Sequence, residues 1–259
     1  MSKTFYEKIY DLLNNGKSCY TITCTEGNVM TSGHQMIVLY DTQEVVFGAL
    51  EPSYNSLLSA ELGDLSRKKP AKESTIILEG QEHKLFLELH IPPVRLVLIG
   101  GGHIAQAMAK VGDILGYNIL VYDERKAFTE ANLFPEGTKT ICGKYTEMND
   151  KFIPLKSDYA VILTHAHAGD YDALVSLADK ELAYIGMIGS KTKVAKLNKR
   201  ALEAGVPQEQ LDKVFTPVGL AINAETVEEI AISIISEMIG HQRGASLECT
   251  GSCSITGLK

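Results

Sequence analysis

Leu96-Val97-Leu98-Ile99 runs straight into Gly100-Gly101-Gly102-His103-Ile104-Ala105, a G-x-G-x-x-A spacing suited to holding a phosphate. Gly100 permits a tight turn, Gly102 lets backbone approach a phosphate, and Ala105 lets the next helix lie close to the strand. The start of that helix offers unpaired N–H groups and the positive end of its dipole. Asp123 closes the next apolar run, where dinucleotide folds place the acid that holds a ribose. Arg125, two residues on, is expected to meet a 2′-phosphate or another anion, or to stand as a solvated charge.

Three further segments carry reactive side chains. Leu163-Thr164-His165-Ala166-His167-Ala168-Gly169-Asp170 has the H-x-H spacing of several metal sites. The segment lacks the last His of H-x-H-x-D-H hydrolases, since Tyr171 follows Asp170, so His165 is assigned to ligand contact, with no metal, and Asp170 to capping the next helix. Gly189-Ser190-Lys191 opens a helix carrying Lys191, Lys193, Lys196, Lys199 and Arg200 and no acid before residue 201. Lysines in a first turn oppose the dipole unless an anion compensates, so this edge reads as a phosphate site or as a solvated face. Thr216-Pro217-Val218-Gly219-Leu220 is a structural turn, followed by a capping-box pattern from Thr226 to Glu229. Cys19 and Cys24, an odd number of residues apart on one strand, fall on opposite faces. Cys142 is assigned to buried packing, and Cys249 and Cys253 lie in a Gly/Ser/Thr-rich tail.

The elements that must position these residues divide at His90-Ile91-Pro92-Pro93, where two prolines remove two N–H donors. Before the break, a helix over 4–14 precedes alternating runs at 20–25, 35–40 and 44–50, a helix over 53–65, and runs at 74–78 and 84–89. This predicts a small α+β domain over 1–90. After it, apolar strands at 95–99, 118–122, 159–163 and 183–188 alternate with helices at 103–115, 171–179, 192–204 and 227–239. That order predicts an α/β domain with a Rossmann-like parallel sheet over 94–244, then a flexible tail over 245–259. The last helix is apolar nearly all round, which points to a homodimer through this domain. The 259 residues hold 25 Lys and Arg against 32 Asp and Glu, a net charge of -7 that disfavours a nucleic-acid binder. No apolar run spans a bilayer, and five scattered Cys suggest a reduced, cytoplasmic setting.

Taken in register, these segments resemble the XdhC/CoxI family, accessory factors of molybdenum hydroxylases such as xanthine dehydrogenase. The resemblance rests on Ile99 to Ala105, Asp123-Glu124-Arg125, Leu163-Thr164-His165, Tyr184-Ile185-Gly186, Gly189-Ser190-Lys191, Pro217 to Leu220 and Glu229 to Ile234 with Glu237. It implies a Rossmann-like domain, often a dimer, that binds molybdenum cofactor (molybdopterin), assists its sulfuration, and delivers it to an apo-hydroxylase, with a cysteine desulfurase as a further partner. Gly100, Gly102, His103, Ala105, Asp123, Arg125, His165, Gly189, Ser190 and Lys191 would then line the cofactor site. In the first domain the family's G-S-x-P-R-x-x-G-A-x-M and G-G-C-x-E stretches fall on 25–36 and 47–51, which lack the Pro-Arg pair and the Cys. No role is carried over to those positions. An NAD(P)-dependent oxidoreductase, with His165 or His167 as acid/base, uses the same glycine loop equally well.

Overall fold

The computed structural model describes residues 4–27, 35–48, 55–78, 80–165 and 167–245. The family-specific stretches at 28–34 and 49–51, and Cys249 and Cys253, lie outside them. The chain forms two compact units, Met1–Pro93 and Val94–Lys259.

The first unit begins with α1 (Phe5–Asn14), whose Thr4 and Glu7 cap one another's backbone N–H groups. β1 (Cys19–Glu26), β2 (Gln35–Leu39), β3 (Val45–Phe47), β4 (Ala71–Leu78) and β5 (Gln81–His90) form an antiparallel sheet in the order β3-β2-β1-β5-β4. α2 (Asn55–Gly63) lies between β3 and β4 in the chain. β1 is central, and its period of two divides its side chains between two cores. Cys19 packs with Phe5, Leu12 and Ile37, whereas Tyr20, Ile22 and Cys24 pack with Leu58 and Leu62. The two cysteines thus face opposite sides, both buried.

The second unit runs β6 (Arg95–Ile99), α3 (His103–Ile114), β7 (Asn118–Asp123), β8 (Lys139–Cys142), α4 (Met148–Lys151) and β9 (Asp158–Ile162). It continues with α5 (His167–Ala178), β10 (Tyr184–Met187), α6 (Lys191–Glu203), α7 (Gln208–Leu211), β11 (Val214–Phe215) and α8 (Val227–Arg243). The strands pair in parallel in the order β11-β10-β9-β6-β7-β8. From β6 the chain moves outward through β7 and β8, then returns to the other side of β6 and moves outward through β9, β10 and β11. The reversal lies between β6 and β9, and in an open parallel sheet the ligand crevice opens there, beyond the carboxyl ends.

Alternation along β6 sends Leu96 and Leu98 into a core shared with α3 and α8, and Val97 and Ile99 into one shared with α5 and α6. The amino ends are tied by Arg95, whose guanidinium donates at 2.7 and 2.6 Å to the buried Asp158 carboxylate. β8, β11, α4 and α7 were not expected from the sequence. Each has two to four residues, too few for a readable period. The sheet and α3 bury Ala231, Ile234, Ile235 and Met238 of α8, so most of its apolar circumference needs no second subunit. Ile232 alone among its large apolar side chains stands half exposed. Among the described residues no helix is long and apolar enough to cross a membrane.

Candidate functional site

The glycine loop sits at the reversal point, and its three glycines do different things. Gly100 has φ +108°, and a Cβ there would lie 2.6 Å from the Leu163 carbonyl oxygen. A Cβ on Gly101 would lie 2.0 Å from the Phe128 carbonyl oxygen. These two positions let the loops after β6, β7 and β9 close on one another. Gly102, with φ -66°, is the N-cap of α3, makes no side-chain cap bond, and has open space where a Cβ would go. It thus leaves the first N–H groups of α3 facing room for a ligand. Ala105 is fully buried one turn in, where the helix meets the sheet. His103 and His165 are both exposed beside this edge.

We expect Gly100→Ala to lower stability by about 2–5 kcal/mol, combining left-handed strain of about 1–3 kcal/mol with backbone overpacking of similar size. Gly102→Ala, with φ negative and no neighbour to meet, should cost only about 1 kcal/mol or less in urea unfolding, the preference for glycine over alanine at an N-cap. Equal loss in the two variants would contradict this division of roles.

Asp123 is fully buried, and its carboxylate is already saturated. One oxygen, Oδ1, accepts the Arg125 backbone N–H at 2.8 Å and Nε–H at 2.9 Å. The other, Oδ2, accepts the Gly101 N–H at 2.8 Å and an Arg125 Nη2–H at 2.8 Å. Burial alone would raise its pKa, but the Arg125 guanidinium and the two backbone donors outweigh burial and hold it below the usual range. A carboxylate offers about four acceptor positions, and here all four are taken. Within the chain these bonds use the acceptor positions at which the sequence pattern places a ribose hydroxyl. Arg125 is likewise turned onto Asp123, with its guanidinium carbon 3.8 Å from the Phe128 ring centroid. The pair is a brace that fixes the glycine loop through the Gly101 N–H.

A second brace lies on the other side of the reversal. Asp170, in the first turn of α5, is fully buried. Its carboxylate accepts the Thr164 hydroxyl at 2.6 Å and forms an ion pair with Lys193 of α6. It therefore does not cap α5, which begins at His167, and links the end of β9 to the start of α6 instead. Ser190 is the N-cap of α6 and accepts the Lys193 N–H at 3.3 Å, while Gly189 packs on the Lys193 stem. The first-turn charge that the sequence left to either a phosphate or solvent is compensated at Lys193 by the chain's own carboxylate. Lys199 pairs loosely with Glu203, and Arg200 lies 3.7 Å over the Tyr171 ring. The side chains of Lys191 and His167 lie outside the described residues.

Cys142 is exposed at the carboxyl end of β8, with its Sγ 3.6 Å from the Glu124 carbonyl, and is not buried packing. Among the described residues β8 pairs with β7 alone, and Cys142 at its end is exposed. Gly219, at φ +105°, donates to Glu237 Oε2 at 3.2 Å, and Ser233 donates to the Leu220 carbonyl at 2.7 Å. Both bonds pin the 217–220 turn to α8, a structural role. Asp170, Thr164 and Lys193 were missed as a unit because their sequence separations show no period. The only available signal was that each follows or opens an element at the same sheet edge.

Fold and site together define a doubly wound Rossmann-type domain with an anion-suited helix start at its reversal point. A family model described as the XdhC Rossmann domain matches residues 96–238, and the chain belongs to that family. It is 30% identical over 236 residues, 90% of this chain and 64% of the relative, to a probable xanthine dehydrogenase subunit of Bacillus subtilis (strain 168). It is 31% identical over 160 residues, 62% of this chain and 29% of the relative, to the uncharacterized protein YqeB of Escherichia coli (strain K12). Among solved structures, one described as a xanthine dehydrogenase from Bacillus halodurans superposes with a TM-score of 0.67 at 26% identity, over 92% of this chain and 66% of that one. The chain spans less than two thirds of the length of each of these two sequence relatives.

Proposed function

We propose that this protein is an accessory factor for a xanthine dehydrogenase-type molybdenum hydroxylase, and that the crevice at Gly102 holds the phosphate end of its molybdenum cofactor. The observation that carries this reading is the contrast between Gly102 and Asp123. The uncapped start of α3 faces open space and suits a phosphate, whereas Asp123 has no acceptor position left for a ribose. The contrast favours a phosphate-bearing ligand other than a nicotinamide dinucleotide, and so favours cofactor handling over oxidoreduction. Within the crevice, the first N–H groups of α3 would bind the phosphate, and exposed His103 and His165 would flank it. Molybdopterin, when bound, supplies the dithiolene that carries the metal; the residues described here only bind and orient its anionic end. An apo-hydroxylase partner, a cysteine desulfurase as sulfur source, a homodimeric state and a cytoplasmic setting complete the reading and come from the family resemblance and composition.

The test begins with inorganic phosphate. It should raise the melting temperature and protect the amides of residues 102–106 from exchange. Gly102→Val should abolish both effects while leaving a folded protein, because its Cβ branch fills the approach to those N–H groups. Protein isolated from cells making molybdenum cofactor should carry pterin and molybdenum, and the variant should carry neither. Turnover of NADH by the wild-type protein, without bound pterin, would instead establish the oxidoreductase.

A further inference from the structure

A large cavity of the second unit lies at the opposite edge of the sheet from the glycine loop, at the amino ends of β10 and β11. Its volume, about 680 Å3, is within the range of small-molecule sites. The phosphate reading does not use it.

A row of stacked rings leads into it. Tyr159, Tyr184 and Phe215 stand on adjacent strands β9, β10 and β11. The Tyr159 and Tyr184 rings lie 5.6 Å apart at 13°, and those of Tyr184 and Phe215 lie 4.7 Å apart at 18°. Stacks with this spacing are favourable, and each ring covers a face of the next. His241, from the last turns of α8, packs edge-on against all three at 5.2–6.0 Å. Tyr184 cannot easily turn, because its hydroxyl donates to the buried Glu237 carboxylate at 2.5 Å. Tyr159 and Tyr184 are buried, but Phe215 is only half-buried and lines the cavity. Among the described residues β11 pairs with β10 alone, so none of their strands supplies a fourth ring.

We propose that this cavity is a second binding site, for an uncharged planar heteroaromatic ring that continues the stack on Phe215. The lack of charge follows from the rim. Lys180 pairs with Asp179 at 3.0 Å, Glu181 with Lys156 at 2.5 Å and Lys213 with Glu209 at 3.9 Å, while Asp212 accepts the Gln208 amide at 2.7 Å. Lys180, Glu181 and Lys213 each face an opposite charge and Asp212 a neutral amide, so an anionic ligand would have to compete for each of these lysines. A ring gains stacking on Phe215, and Gln210 on the cavity lining offers a hydrogen bond.

Adenine and indole serve as probes, titrated against the full chain by ligand-observed NMR. At least one should bind with a dissociation constant of about 1 mM or tighter, as expected for a well-placed bicyclic fragment. Phe215→Leu should weaken it at least about tenfold, the loss of one stacking contact. Gly102→Val should leave ring binding unchanged, and in that background adenosine monophosphate should bind no tighter than adenosine. Should Phe215→Leu misfold, intermolecular contacts between probe protons and the Phe215 ring in the wild-type protein give the answer directly. Absence of saturable binding, unchanged affinity in a folded Phe215→Leu, loss of ring binding in Gly102→Val, or bound probe without contacts to Phe215 would each overturn the proposal. The last two would place the ring elsewhere, and the phosphate site itself is tested separately by the melting and exchange response to inorganic phosphate.

Discussion

Lys193→Met is expected to destabilise the second unit by about 3–5 kcal/mol, the cost of leaving a buried carboxylate without its ion-pair partner. Asp170 is fully buried, and its other oxygen accepts the Thr164 hydroxyl. Removing the ammonium therefore leaves charge in a site that water does not reach. The methionine keeps most of the stem on which Gly189 packs, so volume changes little. Adding Asp170→Asn to Lys193→Met should recover a large part of the loss, because the neutral amide keeps a bond to Thr164 and removes the stranded charge. Lys199→Met, on an exposed ion pair of 3.9 Å, should change stability by less than about 0.5 kcal/mol. Urea unfolding of these variants beside the wild type measures this directly. Equal midpoints for Lys193→Met and Lys199→Met would mean that the Asp170–Lys193 pair holds nothing together.

Asp123→Ala should cost a similar amount, about 3–5 kcal/mol, and should also change the response to acid. The substitution strands a guanidinium and orphans the Gly101 and Arg125 N–H groups, all of which now point at one carboxylate. The sign of the pH effect follows from the direction of the shift. The folded-state pKa of Asp123 lies below its unfolded value, which is near 3.9 for a free aspartate. Its contribution to stability is complete above that unfolded value and is lost as pH falls through the folded one. Wild-type protein should therefore lose stability below about pH 4, and Asp123→Ala, already lacking the contribution, should show a shallower acid limb. The check is the urea midpoint measured from neutral pH downward. Parallel acid limbs in the two proteins would show that Asp123 is not held ionised by the loop.

Much of this molecule was legible in the chain. Helix starts such as Thr4-x-x-Glu7 and Thr226-x-x-Glu229 announce their own caps, because the bonds involved span three residues. The strand-loop-helix at Gly100 was readable for the same reason, since turn, phosphate approach and close packing are all local demands on residue size. The boundary at Pro92-Pro93 follows from missing N–H donors, which no tertiary context restores. Elements of two to four residues, such as β8 and β11, were not legible. They exist because a neighbouring strand offers a ladder, and their own side chains carry no period.

The site divides in the same way. Sequence alone determined that a glycine loop, an acid and a basic helix start would meet at one edge of a parallel sheet, because the alternation of strands and helices fixes that topology. Only the tertiary structure decided what each charge does there. Asp123 could have met a ribose, but Arg125 and the Gly101 N–H fill its four acceptor positions. Lys193 could have met an anion, but Asp170, 23 positions earlier in the chain, reaches it first. Local backbone demands are written in neighbouring residues. The partner of a charge is set by which elements the fold brings within reach, and burial then makes that pairing far stronger than anything the spacing of residues reveals.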